Sequence, residues 1–422
     1  MWNILEHRGL RFVFLANMIS MMGSGLTSAA VTWHVLQATH SEMDLAFIVV
    51  LQTIPAMLLL PFGGVVIDRE ERRRLVMWLD ALRGLAILGV TILAFTHRLE
   101  LWHLYLLAMM VAAGFWMFWP TVTALIQELT PDSEVVHSNI FLMAGVQGGW
   151  LIAGAIVGFL YNHIGLAGIL LIDFFTYVVS FSLYFFVRKG RHVVLPPAEV
   201  AAAAEVVRVH GVRGAVERFF ADLSEGFRFL RAKPSILLLG VSWALFLGAM
   251  LTQGVITAPL SDRVLHAGAV GYGWLNGGWG VGAFLSAMYT AKFIKSMGSR
   301  LSVRLALGAM ALFLFSAPFS RLVAVAVLLF FLMGSARGIA GVAIVSTMME
   351  VVPKHMMGRV QNIFYFIGTF LQFGLSLAVG YAAHYHSLTA AFAIVAAIYA
   401  AASLFTLVRV PVVQPLPEPE KA

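Results

Sequence analysis

Long apolar runs separated by short polar segments dominate this chain of 422 residues. A helix that crosses a membrane needs about 20 predominantly apolar residues, and the chain has room for twelve such runs. The runs lack the alternation of polar and apolar residues that barrel strands show. The pattern therefore predicts an all-α integral membrane protein with twelve transmembrane helices in two pseudo-symmetric six-helix bundles.

The predicted spans form two sets of six. The first set lies at roughly 12–37, 44–67, 75–96, 101–126, 139–161 and 166–187. The second set lies at roughly 236–258, 269–293, 301–319, 322–348, 359–383 and 388–408. These sets predict an N-terminal bundle over 1–187, a linker over 188–235, a C-terminal bundle over 236–408 and a tail over 409–422.

The linker contains an apolar stripe at helical spacing, with arginines between its members. The stripe consists of Phe219, Phe220, Leu223, Phe227 and Leu230. This spacing predicts an amphipathic helix that lies along the membrane surface. The alternative is a simple tether between the two bundles.

A short block occurs once in each half and joins two apolar runs in both places. Each copy has a glutamate, then a proline three residues later, and then the tripeptide Asn-Ile-Phe. The matching positions are Glu128, Pro131, Asn139, and Glu350, Pro353, Asn362. Duplicated hydrophobic halves are typical of secondary transporters, whose substrate path lies between the repeats. We expect both blocks to lie beside the loop between helices 2 and 3 when that end of the protein is closed.

Composition supports a membrane protein and excludes several chemistries. The chain is 60% hydrophobic and 12% charged, whereas soluble domains are about 45–50% apolar and about 25% charged. It has no cysteine, which excludes disulfides, thiol catalysis and cysteine metal sites. The first apolar run is too long for a cleavable signal peptide. We expect no cofactor.

Lysine and arginine are concentrated on one side of the predicted membrane. The N-terminus, the loops after helices 2 and 8 and the linker are basic, whereas the opposite loops offer only Arg98, Arg263 and Arg321. Because cytoplasmic loops collect basic residues, both termini, the linker and the tail are predicted to be cytoplasmic. The same bias accounts for the net charge of +7, so no nucleic-acid partner is expected. We predict a monomeric multi-pass protein of the bacterial cytoplasmic (inner) membrane.

The loop between predicted helices 2 and 3 carries the most specific motif. It reads Gly-Gly-Val-Val-Ile-Asp-Arg-Glu-Glu-Arg-Arg-Arg over residues 63–74. This loop resembles the signature G-x-x-x-D-R-x-G-R-R of the major facilitator superfamily. The signature positions are occupied by Gly64, Asp68, Arg69, Arg72 and Arg73. Glu71 stands where the second glycine is usual.

The resemblance covers nearly the whole chain and implies that this loop gates the cytoplasmic side. It implies that Asp68 lies at the N-terminus of helix 11, near Gly358 and Arg359, where the helix macrodipole favours an anion. The repeat blocks and the linker are similar to the branch that contains macrolide exporters and the enterobactin exporter. Two features depart from the drug-antiporter pattern: predicted helix 4 lacks an arginine, and predicted helix 5 lacks a glycine-proline pair.

Two charged residues within predicted spans are candidates for coupling. A charge at the centre of a span costs about 2.5–3.5 kcal/mol on insertion scales and usually serves a purpose. Asp173 begins a polar stripe with Thr176, Tyr177 and Ser180, and its carboxyl group is a candidate to carry a proton. The alternative is a hydrogen-bonded aspartate that holds helices together. Arg337, near the middle of helix 10, could hold an anionic substrate group or pair with a carboxylate.

Other charged or titratable residues are assigned structural roles. Asp80, Arg83 and Arg304 lie towards the predicted cytoplasmic ends of their helices, where we expect them to snorkel or to form gate ion pairs. His163 and His384 fall on outer loops and are expected to be exposed rather than to ligate a metal.

Polar, aromatic and methionine side chains on four helices are candidates to line a substrate path. Helices 1, 4, 7 and 10 line the central path in the superfamily that the chain resembles. The candidates on helices 1, 4, 7 and 11 are Asn17, Ser20, Ser24, Met117, Thr121, Trp243, Met250, Gln253 and Tyr365. The 20 methionines and 32 phenylalanines suit an adaptable apolar cavity. The alternative is that these side chains face lipid.

The resemblance implies a secondary active transporter that exports amphipathic small molecules, drug-like or siderophore-like, by alternating access. No nucleotide-binding loop is present, so an ion gradient is the expected energy source, with protons as one candidate. Its expected partners are the small-molecule substrate and membrane lipid. The alternatives are an uptake, lipid or organic-anion transporter that uses Arg337, and a non-transporting membrane sensor. An enzyme is not expected, because the spans contain no H-E-x-x-H motif, paired carboxylates or serine-histidine arrangement.

Overall fold

The computed structural model describes residues 8–130, 135–187, 214, 217, 219–221, 223–353 and 356–407. In the first half, helices α1 to α4 are Arg8–Thr39, Glu42–Arg69, Arg72–Phe95 and Leu101–Leu129. The helical segment Val135–Phe185 is divided at Gly165, which has a left-handed φ of 64°. We name its two arms α5 (135–164) and α6 (166–185).

The second half has the same number of helices. Helix α7 is Pro234–Thr252 and continues through Gly254–Pro259 and Leu260–Val264. Helices α8 to α12 are Gly268–Met297, Ser299–Ser316, Val323–Val351, Met357–Tyr381 and Leu388–Phe405. The described residues therefore form twelve long helices, which confirms the predicted fold class. Helix α7 extends beyond the predicted end at residue 258. The additional turns are stabilised because they bury residues such as Leu260 in the core.

Part of the linker is also helical. Residues 219–221 and 223–232 are helical, and we call this segment the linker helix. Leu230 is fully buried, whereas Phe220 and Phe227 are exposed. The described part of the predicted segment is therefore helical, and its amphipathic role and its position along a membrane surface stay predictions.

We call the end of the protein that contains the α1–α2 connection the distal end, and the opposite end, where α1 begins, the proximal end. Within the described residues, ten segments are long and apolar enough to cross a membrane. One of these, Gly145–Phe185, contains parts of both α5 and α6. Helix α8 is not among the ten, because seven glycines between residues 268 and 282 lower its hydropathy.

The buried apolar side chains show where the two halves are joined. One cluster is continuous between the halves and includes Leu36 and Leu45 of the first half together with Val255 and Leu260 of the second. The first-half residues in this cluster come mainly from the distal parts of their helices. A separate cluster that includes Val13 packs the proximal parts of α1, α3, α4 and α6 against one another. The described apolar core therefore unites the halves towards the distal end.

Glycines allow α5 and α8 to approach closely between the halves. The α-carbons of Gly154 and Gly158 face the backbone of α8 at Asn276 and Ala269, and Gly273 of α8 faces Gly158 in return. A side chain at Gly158 would collide with the backbone of Ala269, and one at Gly154 or Gly273 would be crowded by the opposite backbone. Small residues one turn apart are a common means of close helix packing in membranes. The distal junction therefore depends on backbone-to-backbone contact.

Replacing Gly158 by alanine tests this dependence. The new methyl group would collide with the backbone of Ala269, and overpacking of this kind costs about 1–3 kcal/mol. We expect Gly158→Ala to lower the thermal unfolding midpoint of the detergent-purified protein. Gly148→Ala is the matched control, because a methyl group there meets nothing within 4 Å and alanine favours helix. Equal midpoints for the two variants would contradict the packing argument.

Candidate functional site

Arginines of the α2–α3 loop motif bind the first bundle together at the proximal end. Arg72 forms an ion pair with Glu128 at 3.5 Å and donates to the backbone oxygen of Ala124 at 3.2 Å. Arg73 donates to the backbone oxygen of Val187, just after α6, at 2.8 Å. Positive charge at the C-terminal ends of helices is favoured by their macrodipoles. These two motif residues therefore hold the start of α3 to the ends of α4 and α6.

The glutamate that replaces the second motif glycine causes no backbone strain. Glu71 precedes α3 with φ −64° and ψ 112°, an extended conformation open to any residue. Its carboxylate lies 3.6 Å from Arg73 and 3.7 Å from Arg74. The side chains of three other motif residues, and those of two positions in the first repeat block, lie outside the described part of the structure. They are Gly64, Asp68, Arg69, Pro131 and Asn139.

The second repeat block repeats one contact of the first. Glu350, near the end of α10, accepts hydrogen bonds at 2.8 and 3.0 Å from Ser299, the first residue of α9. Glu128, near the end of α4, contacts Arg72, the first residue of α3. In both halves the glutamate therefore joins the end of the fourth helix of its bundle to the start of the third helix. The duplicated glutamates thus have equivalent structural positions.

The remaining second-copy positions lie between α10 and α11. Pro353 follows the end of α10, and Asn362 is exposed on α11. Arg359 forms an ion pair at 3.2 Å with Glu225 of the linker helix, and Gly226 faces Ile363 of the Asn-Ile-Phe tripeptide. The linker helix is therefore docked on the proximal part of α11. The predicted contact of Asp68 with this region falls outside the described side chains.

A buried ion pair lies within the first bundle. Asp80 and Arg83 of α3 are 2.5 Å apart and almost fully buried. Ser180 of α6 donates to the second oxygen of Asp80 at 2.6 Å. The guanidinium of Arg83 lies over the rings of Phe118 and Tyr177, at 4.3 and 4.8 Å from their centroids. Of the two predicted roles, snorkelling or an ion pair, the structure shows an ion pair inside the bundle, while a role in gating stays a prediction.

Asp173 lies one layer further towards the distal end and has only neutral hydrogen-bond donors. Its carboxylate accepts from Thr27 of α1 at 2.6 Å and from Thr176 at 3.0 Å, and it is fully buried. The described residues place no lysine, arginine or histidine within 4 Å of it. Gly23 of α1 leaves the space that this carboxylate and Thr176 occupy. Asp173 therefore joins α1 to α6 as an unpaired carboxyl group.

The polar side of α1 faces α6 rather than an open path. Asn17 donates to the hydroxyl of Tyr184 at 3.1 Å, and Ser24 lies 2.9 Å from the hydroxyl of Tyr177. Ser20 is fully buried between them. Asn17 and Ser24 thus meet polar partners on α6, whereas Ser20 donates to the backbone oxygen of Asn17. That these three side chains line a substrate path stays a prediction.

The α4 candidates are also buried. Thr121 donates to the backbone oxygen of Met117 at 2.6 Å, and both side chains are buried. Their predicted contact with an open path is therefore not found in this conformation. In an apolar helix a threonine hydroxyl commonly bonds the preceding turn, and this local bond explains why no other partner is needed.

The second-half candidates lie closer to accessible space. Trp243 is buried and makes an edge-on contact with Tyr365, with ring centroids 5.7 Å apart, whereas Tyr365 itself is exposed. Gln253 is buried, and its amide nitrogen lies 3.8 Å from the sulfur of Met333. Met250 is half-buried. The structure thus gives the second bundle most of the accessible candidate surface.

Arg337 lies half-buried in the middle of α10, as the sequence indicated. Its Nε lies 3.3 Å from the sulfur of Met250, and its guanidinium carbon lies 4.8 Å from the centre of the Trp279 ring. Among the described residues no carboxylate lies within 4 Å of it. The sequence left open whether Arg337 pairs with a carboxylate of the protein or holds an anionic group of a ligand. The described part of the chain supplies no carboxylate partner, which favours the ligand.

A polar contact at the distal end, which sequence reasoning missed, joins the two halves. Glu42, at the start of α2, is fully buried and lies 2.6 Å from Arg263 and 3.3 Å from Nδ1 of His384. Gln37 of α1 donates to Asp262 at 3.0 Å. We call these five residues the distal latch. His384 was expected to be only an exposed loop histidine, but its position beside Glu42 gives it a partner.

Further contacts reinforce the distal latch. Arg263 also donates to the backbone oxygen of His40 at 2.7 Å. Trp33 of α1 stacks on Tyr272 of α8 with ring centroids 5.7 Å apart. Gly380 of α11 packs closely on Ala46 of α2. All of these contacts cross between the halves, so the distal end of the protein is closed in this conformation.

The chain matches the sequence model of the Major Facilitator Superfamily over residues 13–375. It belongs to this superfamily. The protein is therefore a multi-pass membrane transporter and not an enzyme, in agreement with the prediction from the α2–α3 loop. The two-bundle arrangement and the closed distal end are thus features of a transporter fold.

Named relatives are bacterial efflux proteins. The chain is 27% identical over 355 residues to the putative bacilysin exporter BacE of Bacillus subtilis, covering 81% of this chain and 79% of that protein. It is 22% identical to the multidrug efflux pump Tap of Mycolicibacterium fortuitum, with 84% of each chain covered. The macrolide efflux protein A of Streptococcus pyogenes is 22% identical over 168 residues, 40% of this chain and 42% of that protein.

Solved structures support the fold alone. A bacterial homologue of the iron transporter ferroportin in an inward-facing state has a TM-score of 0.68 at 19% identity, covering 94% of this chain and 97% of that chain. A bacterial homologue of the lysosomal transporter Spinster, also inward-facing, has a TM-score of 0.62 at 15% identity, covering 94% of both chains.

The buried ion pair of α3 can be tested by unbalancing it. Asp80→Asn leaves the Arg83 charge buried without a carboxylate, which should cost about 3–5 kcal/mol of unfolding free energy. The double variant Asp80→Asn with Arg83→Met should recover most of this loss. Unfolding in mixed micelles gives the free energy of unfolding of the single and the double variant. Glu100→Gln, a change at an exposed residue, is the control. A double variant less stable than Asp80→Asn would contradict the pairing.

Proposed function

We propose that this transporter exports amphipathic small molecules across the bacterial cytoplasmic membrane by alternating access, driven by an ion gradient. The observation that carries the proposal is the distal latch, in which buried Glu42 is bound by Arg263 and His384 of the opposite half. Among the described residues the contacts between the halves lie towards this end, and alternating access requires that the halves part there when the other end closes.

The distribution of basic residues supports an orientation with the proximal end in the cytoplasm. The first turn of α3, at the proximal end, contains Arg72, Arg73 and Arg74, and the linker adds further arginines. Cytoplasmic loops are enriched in such residues. In this orientation both termini are cytoplasmic, the distal latch closes the outer side, and substrate enters from the cytoplasm.

The substrate class is supported by the relatives and by the side chains of the second bundle. The relatives include proteins named as exporters of bacilysin, macrolides and multiple drugs. In this chain Trp243, Tyr365 and Met250 provide aromatic and flexible apolar surface in the second half. Such surface suits ligands of varied shape, because methionine and aromatic side chains adapt at little cost. We infer substrates with a large apolar part and at least one polar group.

Proton coupling through Asp173 is part of the proposal. The carboxyl group lacks a cationic partner in the described structure and accepts from Thr27 of α1. The same helix carries Trp33 and Gln37, which contact the second half at the distal end. Protonation would weaken a hydrogen bond that holds α1 to α6, and α1 could then shift at the latch. Asp173 would in this way couple proton binding to opening of the outer side.

Transport by purified protein tests both function and coupling. In proteoliposomes that contain rhodamine B, an amphipathic dye with a free carboxylate, we expect the wild type to move dye faster when a pH gradient is imposed. Asp173→Asn should lose nearly all of this stimulation because it cannot release a proton, whereas dye binding should persist. Asp44→Asn is the matched control, as Asp44 accepts only a tyrosine hydroxyl among its described contacts.

Two results would count against this account. Absence of dye movement by the wild type would contradict the proposed export of amphipathic molecules. Full stimulation of Asp173→Asn by the pH gradient would remove Asp173 from the coupling mechanism while leaving transport intact.

A further inference from the structure

Three hydrogen-bond donors without acceptors surround the centre of the second bundle. The terminal nitrogens of Arg337 have no hydrogen-bonding or ionic partner among the described residues, since only its Nε has one, the sulfur of Met250. The indole nitrogen of Trp279 and the hydroxyl of Tyr399 are both buried without a partner. Native proteins leave few buried polar atoms unbonded. The Trp279 nitrogen and the Tyr399 hydroxyl are two such atoms near the half-buried Arg337, and this group of donors needs an explanation.

The three donors belong to one place in the bundle. The guanidinium of Arg337 covers the ring of Trp279 at 4.8 Å. Tyr399, which is fully buried on α12, is close enough to Arg337 for an electrostatic interaction. Arg337 of α10 thus contacts Trp279 of α8 and Met250 of α7, and Tyr399 of α12 lies near Arg337.

Close packing holds this arrangement in place. Gly334, one turn before Arg337 on α10, lies against the backbone of Trp279. The ring of Tyr399 is packed against Phe246 of α7, with centroids 6.4 Å apart. These contacts fix the positions of the helices. The three donors therefore cannot reach backbone oxygens on one another's helices without disrupting the bundle. The site is preformed rather than a flexible collection of side chains.

The chemistry of the cluster selects its ligand. All three groups can donate: guanidinium and indole nitrogen can only donate, and a hydroxyl can do both. A cation without a counter-charge in an apolar span is costly, and an anionic oxygen would satisfy it together with its neutral neighbours. A cationic or purely apolar ligand would leave these donors unbonded.

We propose that Arg337, Trp279 and Tyr399 form a subsite for the anionic oxygens of a ligand, so that transported substrates carry a carboxylate or phosphate beside their apolar part. The statement about transported substrates rests on the proposed function, whereas the statement that these three residues bind an anionic group does not. The adjacent Met250 sulfur and the Trp279 ring would contact the apolar part of the same ligand. A substrate carboxylate and a lipid phosphate share the required chemistry.

A matched pair of fluorescent probes tests the subsite. N-dansyl-phenylalanine carries a carboxylate, and N-dansyl-phenylalaninamide replaces it with a neutral amide. In phospholipid-free micelles we expect the wild type to bind the carboxylate probe about tenfold more tightly or better, as for a charge-assisted hydrogen bond. Arg337→Gln should abolish the preference. Tyr399→Phe, which removes only the hydroxyl, should reduce it by a few fold, and Trp279→Phe, which removes the indole N–H and part of the ring under Arg337, should also reduce it.

Arg304→Gln is the control arginine. Arg304 lies in the same half but donates to the backbone oxygen of Thr406, so its loss should leave the preference unchanged. Addition of phosphatidylglycerol distinguishes the two sources of anion: competition in the wild type but not in Arg337→Gln assigns the subsite to lipid head groups. Absence of competition assigns it to soluble carboxylates.

The proposal fails if the wild type does not prefer the carboxylate probe, or if Arg337→Gln keeps the preference. Transport of the same probes in proteoliposomes separates this failure from that of the proposed function. A carboxylate preference in binding without transport of either probe would contradict only the proposed function. Transport of both probes without a binding preference would contradict only the subsite.

Discussion

Polar groups inside the membrane-spanning part of this protein must find partners within the protein, because lipid offers none. This constraint explains how the first bundle is built. Asp80 and Arg83 satisfy one another with help from Ser180, and Thr27 of α1 bonds Asp173 of α6. The polar groups that stay unbonded are then informative. The first bundle leaves single atoms such as Oδ1 of Asn17 and Nη1 of Arg83 without a partner, whereas in the second bundle two whole donor groups, on Trp279 and Tyr399, lie near Arg337. There the same constraint calls for a ligand.

The junction between the halves follows a different rule. At the distal end, glycines bring α5 and α8 into backbone contact, and a buried Glu42 is held by charges from the opposite half. The first contact depends on shape and the second on charge. Because one partner of the main ion pair, Arg263, is 40% exposed, water can reach and compete for this contact. A junction of this kind can hold the closed state and still be broken during a transport cycle.

Sequence predicted the elements well and their partners poorly. The twelve helices follow from apolar runs, and the repeated glutamates at 128 and 350 do occupy equivalent places. The polar side of α1 was visible in the sequence, but a one-sided pattern does not say which neighbour it meets, and α6 proved to be that neighbour. Glu42 and Arg263 are more than two hundred residues apart in the sequence, which gave no sign that they meet. Arg263 was noticed only because basic residues are scarce at the distal end. Domain boundaries and site roles stay predictions.

Paired distance measurements test alternating access most directly. Since the chain has no cysteine, spin labels can be placed at Arg98→Cys and Arg321→Cys across the distal end, and at Arg74→Cys and Lys295→Cys across the proximal end. The account predicts that Glu42→Gln, or addition of rhodamine B with a pH gradient, lengthens the distal distance and shortens the proximal one. Distances that do not change, or that change in the same direction at both ends, would contradict it.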